Sequence, residues 1–229
     1  MRILAIDTSC DAASICLYDS QKAKVIAARS ERMTRGHAEA IGPMAAQIRA
    51  ECGAAFDTLD RVAVTLGPGS FTGIRVGVAF ARAIGLSLGI QVVGISTLIT
   101  FAGQLFLTPR AGLIASVIDA RHGNVYFQFF DSGGRALMEP RIDSIGSAVR
   151  AAGVGLIRVT GAGAGIFAAE ALRLGIALDE SSAVAAPDTV TLARLSAVVD
   201  PALCVARPIY LKAPDALVSA VNSVARVNP

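Results

Sequence analysis

Histidine is scarce: 229 residues hold two, His37 and His122, and they stand far apart. No Ser/His/Asp order, HExxH string or Cys/His set can be built around them. A nucleophile with its base, or a histidine-rich metal site, therefore has no visible candidate. The four cysteines, Cys10, Cys16, Cys52 and Cys204, lack paired metal spacing and read as small core residues rather than disulfides. Charge is thin too. Asp, Glu, Lys and Arg make up 17% of the chain against 53% hydrophobic residues, which excludes a disordered polar chain and demands a real core. The net charge of +3 comes with scattered arginines, so no basic stripe marks a nucleic-acid surface. The most apolar stretch, 76–95, is broken by Arg82 and Gln91 and carries Gly77, Gly85 and Gly89. It is expected to form a buried helix and strand rather than a membrane span. The first residues run straight into a strand pattern without secretory-signal features, so a cytoplasmic protein is expected.

What is present has a clear order. Apolar runs at 2–7, 14–19 and 24–29, joined by short polar connectors, predict three strands in hairpins. Ile41, Met44, Ile48 and Cys52 recur at helical spacing within 34–52. A strand at 61–66, a glycine-rich turn, a helix at 74–88, a strand at 92–95 and a helix from about 96 complete a βββαβαβα series. Thr108-Pro109-Arg110 breaks the pattern and divides the chain into 1–107 and a smaller, less regular 108–229, whose C-terminal segment can pack back onto the first part. Beyond the break, 113–119 and 125–130 predict a hairpin turning at Arg121-His122-Gly123-Asn124. Helices follow near 144–151, 167–174 and 189–199, with a strand at 156–160. No internal repeat is visible.

Three motifs invite chemistry. Ile6-Asp7-Thr8-Ser9, with Ser14 close behind, is a strand end that could hold phosphate oxygens and a metal-bound water; an Asx-type hairpin turn uses the same residues. Gly67-Pro68-Gly69-Ser70-Phe71-Thr72-Gly73 offers glycines and a helix start to an anion, or is simply a tight strand-to-helix turn with a hydroxyl cap. It lacks the lysine of a Walker loop. Gly161-Ala162-Gly163-Ala164-Gly165 could approach an adenosine, but a chain turn is the preferred reading. In addition, Gly73, Gly77, Ala81, Gly85 and Gly89 draw a stripe of small residues along one helical face, the mark of close intramolecular packing. His37, near the start of an amphipathic helix, reads as exposed or partner-facing.

The strings Ile3-Leu-Ala-Ile-Asp-Thr-Ser9, Leu66-Gly-Pro-Gly-Ser-Phe-Thr-Gly-Ile-Arg75 and Val93-Gly-Ile-Ser-Thr-Leu98 resemble the TsaB (YeaZ) family. So do Ile118-Asp-Ala-Arg-His-Gly-Asn-Val-Tyr126 and Pro208-Ile-Tyr-Leu-Lys-Ala-Pro-Asp-Ala216. The resemblance implies an α/β, actin-like ATPase (ribonuclease H-like) fold of two lobes, each a mixed sheet flanked by helices. It implies a subunit that binds TsaD, which threonylcarbamoylates the adenosine beside the anticodon of ANN-decoding tRNAs, together with the ATPase TsaE. In TsaD two metal-binding histidines follow the corresponding strand; here Thr97 and Phe101 fall at those places, and neither replaces imidazole. The implied protein is therefore catalytically silent, with no metal of its own. Asp7, Thr8, Ser9, Gly67, Gly69 and Ser70 become vestigial phosphate loops, and ATP enters only in the complex with TsaD and TsaE. The implied partner surface consists of the helices at 34–52 and 74–88, with His37, Ile41, Met44, Ile48 and Arg75. The same surface would close a homodimer when TsaD is absent; tRNA is met only through the complex, and no membrane is involved. The competing expectations are an ATP-dependent kinase, which needs Asp7 and Gly161–Gly165 to share a nucleotide, a glycoprotease-like peptidase, and a scaffold of some other assembly.

Overall fold

The computed structural model describes residues 1–108 and 110–212. Pro109, in the expected boundary, and Ala213–Ala216, the end of the last motif, lie outside the described residues.

The first half begins with β1 (Arg2–Cys10), β2 (Ala12–Asp19) and β3 (Lys24–Arg32), then α1 (His37–Cys52) and the short α2 (Ala54–Asp57). It continues with β4 (Arg61–Thr65), α3 (Phe71–Leu88), β5 (Gln91–Ile95) and α4 (Thr97–Phe106). The strands form one sheet in the order β3-β2-β1-β4-β5, antiparallel within the opening meander and parallel from β1 through β4 to β5. The central strands are buried on both faces, which is why β1 and β2 read as near-continuous apolar runs. β1 extends beyond its expected end, through Ser9 to Cys10, because Asp7, Thr8 and Ser9 are all buried and stay in the sheet.

The second half contains β6 (Leu113–Arg121), β7 (Asn124–Phe130), β8 (Arg141–Ser144), α5 (Ile145–Ala152), β9 (Ile157–Gly161), α6 (Ala164–Arg173), β10 (Glu180–Ala183) and α7 (Thr189–Val198). Its sheet runs β10-β9-β6-β7-β8, and β6 pairs antiparallel with β7 and parallel with β9. Read from the other edge, this is the order and strand sense of the first sheet. The chain therefore contains a topological repeat, and its equivalent strands β1 and β6 both carry Ile-Asp (Ile6-Asp7 and Ile118-Asp119) just before the hairpin irregularity.

One side of the first sheet is covered by α1 and α3, the other by α7. Ile41, Met44 and Ile48 pack with Ile15, Leu17 and Val62 in the first core. Leu192 and Ala193 of α7 meet Ile3, Ala5, Ala63 and Val93 on the opposite face. The second sheet is sandwiched between α5 and α6 on one side and α4 on the other. The two lobes meet where α4 lies on α7. Gly103 is the close-approach point: a Cβ there would overlap Thr191 and crowd Leu195.

Both ends of α4 are tied down. Thr97 N donates to Gly67 O (2.9 Å) and Gly67 N donates to the Thr97 hydroxyl (3.1 Å), pinning the helix to the glycine turn of the first lobe. At the other end Arg158, 1% exposed, donates to Leu105 O, Thr108 O and Thr108 Oγ1, and its Nε pairs with Glu180 at 3.0 Å. Leu105 O also accepts from Thr108 N and Oγ1, so the guanidinium's distinct contribution to this helix end is a donor for Thr108 O.

Candidate functional site

A cleft of about 420 Å³ opens between the lobes. Ser9, Cys10 and Asp11 of the first hairpin, Gly69 and Ser70 of the glycine turn, and Asp119, Arg121 and Lys212 line it. The motifs singled out above converge here, but in an occluded form.

Asp7 is fully buried beneath the cleft rather than exposed in it. Its Oδ1 accepts from Ser9 N (3.2 Å), Ser9 Oγ (2.6 Å) and Thr65 Oγ1 (2.5 Å), while Oδ2 has no partner. Burial outweighs these bonds and raises its pKa above the ordinary 3.8. Thr8 turns its hydroxyl to Gly73 O at 2.7 Å, and Ser70 N donates to Ser9 O at 2.7 Å. Ser70 Oγ caps α3 by accepting from Gly73 N at 3.2 Å. A Cβ at Gly69 would overlap Ser9 O; at Gly73, Thr8 O; at Gly77, the Thr8 hydroxyl. The glycine stripe is thus the seat of strand β1, and the turn and strand occupy each other's polar groups. Farther along, a Cβ at Gly85 would overlap Val92, and Gly89, with φ +66°, ends the helix.

The second lobe contributes a strained hairpin tip. Arg121 and His122 both have positive φ (64° and 52°), and Asp119 Oδ1 steadies the turn by accepting from Arg121 N at 2.7 Å. Gly161 and Gly163 pack on Val117 O and Asp119 N of β6, and Gly163 N donates to Val117 O, so this segment is a turn against its neighbour. Cys10 borders the cleft, but burial pushes its thiol well above the usual range.

The expected partner residues separate. His37 is buried, not partner-facing: Nε2 donates to Cys10 O at 3.0 Å and holds the β1–β2 turn. Ile41, Met44 and Ile48 also turn inward, joining Ile15, Leu17 and Val62 of the sheet in the first core. They are not available to a partner. Arg75 alone faces out. Its guanidinium lies 3.8 Å from the Phe71 ring centre and donates from Nε to Tyr210 OH at 3.0 Å. Phe71 and Arg75 stand one helical turn apart, a spacing legible in sequence; Tyr210 and the Asp7 partner Thr65 were not.

Thr97 and Phe101 also have settled roles. Thr97 makes the paired bonds to Gly67, and Phe101 packs with Leu98, Cys10 and Ile118. Among the described residues, no group of three or more His, Cys, Asp or Glu could hold a metal ion.

Two five-stranded sheets of one topology, facing each other across a cleft and joined by a helix pair, define the actin-like (ribonuclease H-like) class of α/β proteins. The solved structure of YeaZ from Pseudomonas aeruginosa has this fold, with a TM-score of 0.71 and 23% identity over 92% of this chain and 99% of that one. The family model of TsaD, tRNA N6-adenosine threonylcarbamoyltransferase, matches residues 24–173. The TsaB protein of Escherichia coli K12, a tRNA threonylcarbamoyladenosine biosynthesis protein, is 36% identical over 127 residues, 56% of this chain and 54% of its own. Its Bacillus subtilis counterpart is 37% identical over 128 residues, covering 55% and 53%. The chain spans about half the length of these curated relatives. It belongs to the TsaB (YeaZ) family.

Proposed function

We propose that this chain is a catalytically silent cytoplasmic subunit that binds TsaD in the threonylcarbamoylation of ANN-decoding tRNAs, with TsaE as the ATPase of the assembly. The observation that carries this reading is the use of Thr97 and Phe101. Where the resemblance expects the transferase's metal ligands, a buried hydroxyl ties a turn and a phenyl ring fills a core. A threonine and a phenylalanine so engaged supply no imidazole to a transition metal. The burial of Asp7 and the mutual bonding of strand and glycine turn support a chain that binds no ATP on its own.

Binding then falls to surfaces the first core leaves open. On α1 these include Ala38, Glu39, Pro43, Ala46, Gln47, Arg49 and Ala50; Ala46 and Ala50, one turn apart, are small enough to let another helix pass closely. They are assigned to TsaD, and to a second copy when TsaD is absent. Ala46→Glu with Ala50→Glu changes only exposed positions and should leave the thermal unfolding of the isolated chain intact. It should reduce TsaD binding, measured by calorimetry, at least about tenfold, since desolvating a carboxylate in an interface costs more than 1.4 kcal/mol. Unchanged affinity would remove this surface from the proposal. Transfer of threonylcarbamoyl to tRNA by the purified chain alone would refute its silence.

A further inference from the structure

Helix α4 rests on the second sheet through two separate apolar contacts. Toward its start, Leu98 and Phe101 pack with Ile118 and Tyr126. Toward its end, Ala102 and Leu105 pack with Ile114 and Phe130. Alternation along the strands decides what lies between them. Side chains two apart share a face of the sheet, so Ser116 stands between Ile114 and Ile118, and Gln128 between Tyr126 and Phe130. The opposite face of the same strands sends Ala115, Val117, Phe127 and Phe129 into the core beneath α5 and α6. Two polar side chains therefore interrupt the apolar face under α4.

The two also stand opposite each other. Ser116 and Gln128 are register partners in the antiparallel pair β6–β7, which brings their Cβ atoms to within about 5.5 Å. On the other side of Ser116 its register partner is Thr160 of β9. All three are buried, with exposures of 0%, 4% and 1% for Ser116, Gln128 and Thr160. The amide of Gln128 is oriented by its own bond, Nε2 donating to Met138 O at 3.0 Å, which leaves the carbonyl as its open end. Neither Ser116 Oγ nor Gln128 Oε1 has a hydrogen-bond partner among the described residues. Buried oxygens are rarely left so, because each has given up its hydration. The chemistry of the pair selects what can join them. An anion is refused by a carbonyl oxygen, and a cation would meet only neutral oxygens. Arg158, on the same face of β9, commits its guanidinium to the end of α4 and to Glu180. The ligand must be small and uncharged, and must donate to one oxygen while bonding a hydroxyl. We infer that a water molecule is bound between Ser116 and Gln128, donating to Gln128 Oε1 and hydrogen-bonded to the Ser116 hydroxyl. The helix that joins the lobes thus sits on the second sheet over a wet strip flanked by two dry ones.

The test uses the full chain and two readouts. In a crystal structure at about 1.5 Å resolution, one ordered water should stand within about 2.7–3.2 Å of both Ser116 Oγ and Gln128 Oε1. In solution, a long-lived buried water should give rotating-frame Overhauser cross-peaks to the γ-protons of Gln128, which are bound to carbon and do not exchange with solvent. Two variants of nearly equal shape separate the hydroxyl from its volume. Ser116→Thr retains the hydroxyl and should keep the water and its cross-peaks. Ser116→Val fills the same space without a hydrogen-bonding group and should lose both. A direct hydrogen bond from Ser116 Oγ to Gln128 Oε1, with no water density beside it, overturns the inference. So does the absence of cross-peaks in the wild-type chain, or their survival in Ser116→Val. Should the valine variant fail to fold, the wild-type crystal and the wild-type cross-peaks still decide. None of these readouts depends on TsaD or on activity.

Discussion

At the residue scale, Asp7 shows how a motif keeps its letters and changes its physics. In an open cleft a carboxylate at the end of a strand can hold a metal-bound water; here it is sealed beneath the turn, with one oxygen bonded three times and the other not at all. Because burial raises its pKa in the fold, the native state holds this proton more tightly than the unfolded chain does. Its stabilising contribution is complete below the ordinary 3.8 and is lost as pH climbs through the raised folded value. Asp7→Asn should therefore remove that loss. In urea titrations at successive pH values, the stability of the variant relative to wild type should rise with pH; a constant difference would show that Asp7 ionises normally. The cysteines give a second residue-level expectation. Burial pushes the Cys16 thiol up to about 12 and Cys10 well above its usual value, whereas Cys52 and Cys204 are partly exposed. A thiol reagent at neutral pH should label Cys52 and Cys204 in the folded protein and reach Cys10 and Cys16 only on unfolding. Sequence revealed Asp7 as a strand-end residue but not its depth, because depth is set by α3 lying across β1.

At the element scale, the glycines of one helix-and-turn vocabulary serve opposite ends. Gly73 faces the Thr8 carbonyl, which is backbone and cannot step aside, so Gly73→Ala should cost about 3 kcal/mol or more by overpacking. Gly165, inside α6, has nothing near its missing Cβ, so Gly165→Ala should stabilise by roughly 0.5–1 kcal/mol. Chemical denaturation of the pair tests both, and equal effects would mean that the stripe is not a packing device. Most long elements were legible from periodicity. Two strands were not: β8 and β10 are four residues each, half-exposed, and too short to display an alternation. The apolar stripe of α1 was legible as well, but a period says that a face is covered and is silent on what covers it. The sheet of the same chain won over the partner.

At the scale of the molecule, the two lobes repeat one topology around a shared pair of helices; in sequence the equivalent strands β1 and β6 share little beyond an Ile-Asp pair, Ile6-Asp7 and Ile118-Asp119, ahead of the hairpin bulge, which is too short to announce a repeat. Arg158 holds the second lobe to the far end of α4. Arg158→Met would take the side-chain donor from Thr108 O and leave Glu180 only the more distant Arg110, and a loss of about 3 kcal/mol is expected in urea unfolding. A loss below about 1 kcal/mol would place the strength of the joint in the apolar contacts of α4 instead.

The contact of α7 with the first sheet also sets an order of events. Ile3, Ala5, Ala63 and Val93 come early in the chain, yet Leu192 and Ala193, which cover them, follow about a hundred residues after Val93. The strands of the first sheet are therefore all made well before the helix that covers this face, and the face stays bare in the interval. A chain cut off before α7 would lack that cover and is expected to aggregate rather than fold as a smaller domain.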